Sequence, residues 1–310
     1  MTATIALKDW SRERLLDELL HFQDLASLIL PRSDNLPALG NIDYYAAIEP
    51  YKGSVCGDHL ILLNFAEYNL QDKIAAAKEA GNGALASTLA ANSDRFGILV
   101  ADAAGHRLGD SVTANYLHAA FKTGVAYELA RHGEVTAGLF EMLNTIFYNR
   151  MTPEFLDSKP YVTLIYGEVV NDGRFRFLSA GHPPPIVFSQ KYSKIVALGD
   201  ERTRTSTPLG IIPSQYHVDI EHFVSAAITK DKYSVNEINL LGQGDIMLLY
   251  TDGLTDHRNG DVMFCNTELE HVLREARSGT AKDIFEAIRN AMHSFGEMSD
   301  DLTIAVIKKV

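Results

Sequence analysis

The stretch Gly244-Asp245-Ile246-Met247-Leu248-Leu249-Tyr250-Thr251-Asp252-Gly253-Leu254-Thr255-Asp256 decides how the rest of the chain is read. Its apolar run Ile246–Tyr250 is too short for an ordinary helix and lacks the alternation of a half-solvated strand. It therefore describes a strand buried on both faces. Thr251-Asp252-Gly253 ends the run with turn chemistry and leaves a carboxylate at the edge of a core. Three other stretches repeat the pattern. Cys56-Gly57-Asp58 precedes His59–Leu63, Ile98–Ala101 leads into Asp102-Ala103-Ala104-Gly105-His106, and Asp300-Asp301 precedes Leu302–Val306.

Working outward, β-type segments occupy 43–48, 59–65, 96–101, 161–170, 174–180, 186–189, 245–250 and 302–308, with Asn171-Asp172-Gly173 as a hairpin turn. Helical spacing of apolar residues covers 111–131, 134–149, 267–277 and 281–295, and Gly296 stands at the last stop. Strands in antiparallel clusters and helices in pairs predict a layered α+β sandwich rather than a doubly wound sheet. A helix is predicted over 8–30, where Leu15, Leu19, Phe22, Leu25 and Ile29 form one stripe and Leu16 and Leu20 a second. Such a helix must be covered on two sides, either as a first core helix or as a lever or dimer contact. Residues 31–37 read as a linker, 68–92 as an extra helix or excursion, and 214–240 as irregular.

Length and charge exclude several functions. The chain has 310 residues, 46% hydrophobic and 22% charged, enough to bury one large core or two modest ones. That excludes a disordered tail and a disulfide-stapled miniprotein. With 28 basic against 40 acidic residues the net charge is −12, and no Lys/Arg cluster offsets it. Neither nucleic acid nor an anionic membrane is an expected partner. Cys56 and Cys265 lack the neighbours of a zinc or thioredoxin site and suit a reducing compartment. There is no basic-then-apolar leader and no apolar run near the roughly 18 residues of a membrane span. A soluble, cytoplasmic protein is expected.

Four carboxylates delivered to strand ends would repel one another if brought together without cations. Hard divalent ions with oxygen ligands remove that repulsion, and an all-carboxylate set selects Mg2+ or Mn2+ over zinc or copper. Two such ions about 3.5–4 Å apart hold and deprotonate a bridging water, the arrangement of metal-assisted phosphate hydrolysis. Asp at a strand end is also ordinary turn chemistry, and Asp172-Gly173 reads only as a hairpin tip. On spacing alone both readings stand.

Taken in order, the blocks resemble the PPM family of metal-dependent serine/threonine protein phosphatases, in its bacterial SpoIIE/RsbU-type branch. Gly57-Asp58 is similar to that branch's Gly-Gly-Asp, with Cys56 in place of a glycine. Residues 101–106 are similar to its Asp-x-x-Gly-His-Gly, with Arg107 in place of the last glycine. Ser179-Ala180-Gly181-His182-Pro183-Pro184-Pro185 is similar to its Ala-Gly-His-Pro-Pro block, and Pro208-Leu209-Gly210-Ile211, residues 244–256 and Asp300-Asp301-Leu302-Thr303 complete a series spread over 43–310. The resemblance implies an α-β-β-α sandwich of two antiparallel sheets flanked by helices. An N-terminal helical extension (1–40) would precede the phosphatase domain (41–310). It implies two Mn2+ or Mg2+ ions, with Asp58, Asp102 and the backbone carbonyl of Ala103 as ligands on one side and Asp252 and Asp300 on the other. The same four aspartates would form the catalytic set. Asp300 is implied rather than Asp301 because the family's Asp-Asp-x-Thr places the ligand first.

The reaction so implied is in-line attack on phosphoserine or phosphothreonine by a metal-bridging hydroxide, without a phosphoenzyme. The implied substrate is a phosphorylated anti-anti-sigma (STAS) protein in a partner-switching pathway that controls a sigma factor. The N-terminal helix would contact an upstream regulator or a second copy of the chain. A catalytically silent binding module of the same fold and a phosphatase of small phosphoesters are the alternatives. His106 is expected to position its loop or act as an acid. His182 is expected to be structural, since the prolines after it end the strand sharply. Cys56 is expected to be a buried inert thiol. Arg107 either binds substrate phosphate or faces solvent, and the extra stretches 68–94 and 217–240 bear on specificity.

Overall fold

The computed structural model describes residues 11–27, 38–51, 56–104, 108–150, 161–214, 230–239 and 242–310. Helix α1 (Arg12–Ser27) precedes strands β1 (Ile42–Glu49) and β2 (Asp58–Leu63). Helices α2 (Leu70–Glu79) and α3 (Gly83–Ala91) lead to β3 (Arg95–Ala103), then to the long helices α4 (Leu108–His132) and α5 (Ala137–Arg150). Strands β4 (Val162–Val170), β5 (Phe175–Ala180), β6 (Ile186–Ser189), β7 (Lys194–Val196), β8 (Thr205–Ser206), β9 (Val235–Ile238) and β10 (Ile246–Tyr250) follow. The chain ends with α6 (Asp252–Thr255), the hairpin β11 (Arg258–Asn259) and β12 (Val262–Met263), helices α7 (Phe264–Thr267), α8 (Leu269–Ala276) and α9 (Ala281–Phe295), and β13 (Leu302–Lys309).

One sheet runs β2-β3-β4-β5-β8, with β9 beside β5, and the other runs β1-β13-β10-β6-β7. Neighbours are antiparallel except for the two-residue pairing of β5 with β8. Side-chain alternation explains the layering. Along β3, Phe96, Ile98 and Val100 point between the sheets and meet Met247, Leu249, Ala305 and Ile307. Leu99, Ala101 and Ala103 point outward, where α4 lays Leu117, Phe121, Val125 and Leu129 on them, four residues apart on one helix face. On the far side, Ile246, Leu248, Ile304 and Val306 are covered by Leu273 of α8 and Ile284, Ile288 and Met292 of α9. These three apolar layers make the α-β-β-α sandwich. No described helix is long and apolar enough to cross a membrane.

Several expectations need amending. The N-terminal helix is not a core helix, because Leu15, Leu16, Leu19, Leu20 and Leu25 are all exposed. Positions 8–10 and 28–30 and the linker 31–37 lie outside the described residues. The excursion at 68–92 is two helices packed on the outer face. Part of the stretch read as irregular is a strand: β9 pairs antiparallel with β5, from Phe175↔Ile238 to Leu178↔Val235. Its four residues, with Asn236 and Glu237 among them, are too few and too polar to stand out in the sequence. Gly296 ends α9 in an extended conformation with φ −170 rather than in a left-handed cap. It is needed instead for close approach, since a Cβ there would lie 2.9 Å from the Arg258 carbonyl oxygen. Helix α9 begins as its sequence suggests, with Thr280 and Asp283 in a reciprocal capping box.

Phe121 is fully buried among α4, α5 and the outer face of β4, with its ring 5.4 Å from that of Tyr166. Phe121→Ala is expected to lower the unfolding free energy by about 3–5 kcal/mol in a denaturant titration.

Candidate metal centre

At one end of the sandwich the apolar layer between the sheets stops and polar side chains take over. Asp58 in β2 is the register partner of Asp102 in β3, and Asp102 is the partner of Thr163 in β4. Partners across antiparallel strands share a face. Asp58, Asp102 and Thr163 therefore form one row, on the face that continues Leu60, Val100 and Ile165 toward the other sheet. The chain places them there because each takes the next inward position after an apolar residue.

Asp58 closes the gap to the second sheet. Its Oδ2 accepts hydrogen bonds from Thr251 Oγ1 at 2.7 Å and Thr303 Oγ1 at 2.6 Å. Thr251 directly follows β10 and Thr303 is the second residue of β13, and they hold each other: the Thr251 amide donates to the Thr303 carbonyl and the Thr303 amide donates to Thr251 Oγ1. Asp252 opens α6 directly after Thr251, and Asp300 stands two residues before β13, next to Asp301. The four aspartates thus belong to strand ends at one end of the fold, with Asp58 and Asp102 as direct register partners. Asp102, Asp252 and Asp300 are partly exposed, whereas Asp58 is buried.

Asp301 has a different task. Its carboxylate accepts from the Tyr51 amide at 2.8 Å and the Gly57 amide at 3.3 Å, pinning the chain on both sides of 52–55 just before Asp58. Its own amide donates to Asp300 Oδ1 at 2.7 Å. Gly253 is forced by the same crowding. A Cβ at that position would lie 1.9 Å from the Asp301 carbonyl oxygen. The exit of β10 and the entry of β13 touch backbone to backbone.

The electrostatics follow from this packing. Burial pushes the Asp58 carboxyl well above the usual carboxylate range, and the charges of Asp102 and Asp301 push it further, while the two threonine hydroxyls pull it back. Cys56, buried behind Asp58, has its thiol pushed up by burial and by the same aspartates, so it stays protonated and inert. His182 is buried, with Nε2 2.9 Å from the Tyr250 carbonyl and Nδ1 3.1 Å from Thr163 Oγ1. A carbonyl only accepts, so Nε2 carries the proton and Nδ1 accepts from the threonine. Burial lowers the His182 pKa to about 4. On the opposite face of β2, His59 Nε2 lies 2.9 Å from His118 Nδ1 of α4, and burial lowers His59 to about 3.

Among the described residues no three Asp, Glu, His or Cys side chains converge closely enough to hold an ion as they stand. Residues 105–107, which carry His106 and Arg107, are outside the described residues. The donor chemistry nonetheless fits a hard divalent cation. Asp58 is a buried carboxylate facing a second one, its Oδ2 partnered by hydroxyls, a hard-oxygen set of the kind that a divalent cation stabilises. Asp58, Asp102, the Ala103 carbonyl, Asp252 and Asp300 are the oxygens able to supply such a shell. The roles of Thr251, Thr303 and Thr163 were not read from the sequence; Thr251 next to Asp252 and Thr303 three residues after Asp300 were the available signals, and Thr163 had none.

Paired antiparallel sheets with helices on both outer faces are the architecture of PP2C domains. The SiaA-PP2C domain of Pseudomonas aeruginosa is 15% identical and superposes with a TM-score of 0.64, covering 96% of this chain and 98% of that one. RsbX in complex with magnesium is 15% identical, with a TM-score of 0.52 over 89% of this chain and 99% of RsbX. The phosphoserine phosphatase RsbU of Bacillus subtilis (strain 168) is 24% identical over 164 residues, 52% of this chain and 43% of RsbU, so the match spans less than half of that relative. Residues 92–310 match the family model described as Stage II sporulation protein E (SpoIIE), and the chain belongs to that family.

Two outcomes are expected from this geometry. Gly253→Ala should cost about 1–3 kcal/mol of stability, because backbone must move to admit the methyl group, and thermal melts check it. The second concerns acid. His59 and His182 have folded pKa values below their unfolded value of 6.5, so their contribution is fully present above pH 6.5 and is lost as pH falls toward 4 and then 3. Denaturant titrations should show unfolding free energy falling by up to about 1.4 kcal/mol per pH unit for each histidine in that window. His182→Gln should remove one proton's worth of the slope.

Proposed function

We propose that the chain is a serine/threonine protein phosphatase that uses two Mn2+ or Mg2+ ions held by Asp58, Asp102, the Ala103 carbonyl, Asp252 and Asp300. The observation that carries this reading is the row Asp58–Asp102 lashed to Thr251 and Thr303. It holds like charges together at the edge where the second sheet delivers Asp252 and Asp300. Divalent ions in such a site supply an activated water and neutralise charge on the phosphoryl oxygens. The chain's part is positional. Thr251 and Thr303 fix the Asp58 carboxylate as an acceptor, Asp301 holds the approach to β2, and the contact at Gly253 sets how close α6 comes to β13. The matched relatives support the reading: RsbU is a phosphoserine phosphatase and the RsbX structure contains magnesium.

For the substrate we infer a phosphorylated STAS protein within a partner-switching pathway in the cytoplasm. Two free cysteines suit that compartment. The exposed leucines of α1 support a contact role for 1–40, toward an upstream regulator or a second copy. The test is phosphate release from a phosphorylated STAS protein by the purified chain with Mn2+. Release is expected to stop with a chelator and to fall by about two to three orders of magnitude in Asp252→Asn. Turnover of free phosphoserine but not of phosphoprotein would overturn the protein-substrate reading.

A silent binding module of the same fold is the second reading, and the observation favouring it is that no three described ligand-type side chains converge. Calorimetry separates the two. A phosphatase binds Mn2+ at millimolar concentration or tighter and loses that binding in Asp102→Ala, whereas a silent module shows no such site.

A further inference from the structure

We propose that His182 is a positioning residue: a neutral strut between the sheets that sets the distance between the Asp102 side and the Asp252 side of the site. The inference rests on the metal reading above and concerns how the ligand spacing is held.

Its two ring nitrogens reach different sheets. Nδ1 accepts from Thr163, the register partner of Asp102 in the first sheet. Nε2 donates to the carbonyl of Tyr250, two residues before Asp252 in the second. Asp102 therefore sits in its row between two cross-sheet ties. On one side Asp58 reaches Thr251 and Thr303, and on the other Thr163 and His182 reach Tyr250. Farther along, apolar side chains between the sheets set the spacing; at this end these hydrogen-bonded ties join the two sheets.

The strut is itself held. Ser179 Oγ donates to the His182 carbonyl at 3.1 Å. Gly181, with φ +67, lets the turn press on Pro208, where a Cβ would come within 2.4 Å of Cγ. Pro183, Pro184 and Pro185 then fix the path into β6. A ring held from both ends, buried and neutral, transmits position and donates no proton to a substrate. Coordination distances tolerate about 0.2 Å, so a change in sheet spacing is felt at the ions.

The test uses the full chain and three variants. Gln places its amide nitrogen near Nε2, whereas Asn reaches only as far as Nδ1. His182→Gln therefore keeps the bond to Tyr250 and His182→Asn loses it. Thr163→Val removes the other bond while leaving the ring and the Tyr250 contact in place, so it carries the test if His182→Asn does not fold. Calorimetry with Mn2+ should show about 10- to 100-fold weaker binding in all three variants, because each breaks one end of the strut: His182→Gln and Thr163→Val the Thr163 end, His182→Asn the Tyr250 end. The pH profile of kcat should keep its shape in all three.

Unchanged Mn2+ affinity in folded His182→Asn and Thr163→Val, with only a lower melting temperature in chelator, would overturn the proposal. Loss of a titrating limb of the profile in His182→Gln would do so too, because it would make the ring a proton donor. Absence of Mn2+ binding by the wild-type chain would overturn the metal reading first, and that result is visible before any substitution is made.

Discussion

A buried carboxylate bridging two β-sheets is the constraint on which the rest depends. Asp58 leaves water to accept two hydroxyl donors from the opposite sheet, and it does so facing Asp102. Each hydroxyl bond to a charged group contributes on the order of 1.5–3 kcal/mol, while desolvating the charge costs several. The pull of Thr251 and Thr303 alone does not balance that cost, as the raised Asp58 carboxyl shows. Elsewhere charge goes inward as ion pairs, Glu168 with Arg95 and Lys230 with Glu141, whereas Asp58 is held by hydroxyls. The three apolar layers hold in place an arrangement that would otherwise open.

That division explains which parts of the chain could be read directly. Buried strands and amphipathic helices follow from residue type and period. Ile246–Tyr250 and the Leu117, Phe121, Val125, Leu129 stripe declared themselves, and the layers followed. The strand-end aspartates were equally visible, though their spacing alone could not separate turn chemistry from a site. Pairing across sheets was hidden. Nothing local to Asp58 says that its partners lie 193 and 245 residues away. The double anchorage of His182 was equally invisible, because Thr163 and Tyr250 come together only once the sheets are stacked.

Polar residues in weakly periodic segments were the other blind spot. Strand β9 is ordered by the neighbour it completes: Asn236 holds Arg204 through two hydrogen bonds, and Ile238 enters the core opposite Phe175. Its sequence alternates only over four residues, too few to assert a period. Helix α1 shows the reverse case. Its apolar stripes announced a helix correctly, yet said nothing of whether they are covered within one chain, and the leucines prove exposed.

The contact at Gly253 divides the chain by how freely it can change. Gly81 and Gly260 turn in open space, with nothing within 4 Å of an added Cβ, so side chains there meet only a backbone preference that asparagine can satisfy. Residue 253 has no such alternative, because even a methyl group collides with a peptide oxygen of a strand far along the chain. Insertions such as α2 and α3 can lengthen, shrink or vanish on the outer face without touching that junction. Descendants of this sequence are free to diverge in their outer helices and loops, whereas the seam between β10 and β13 admits one amino acid.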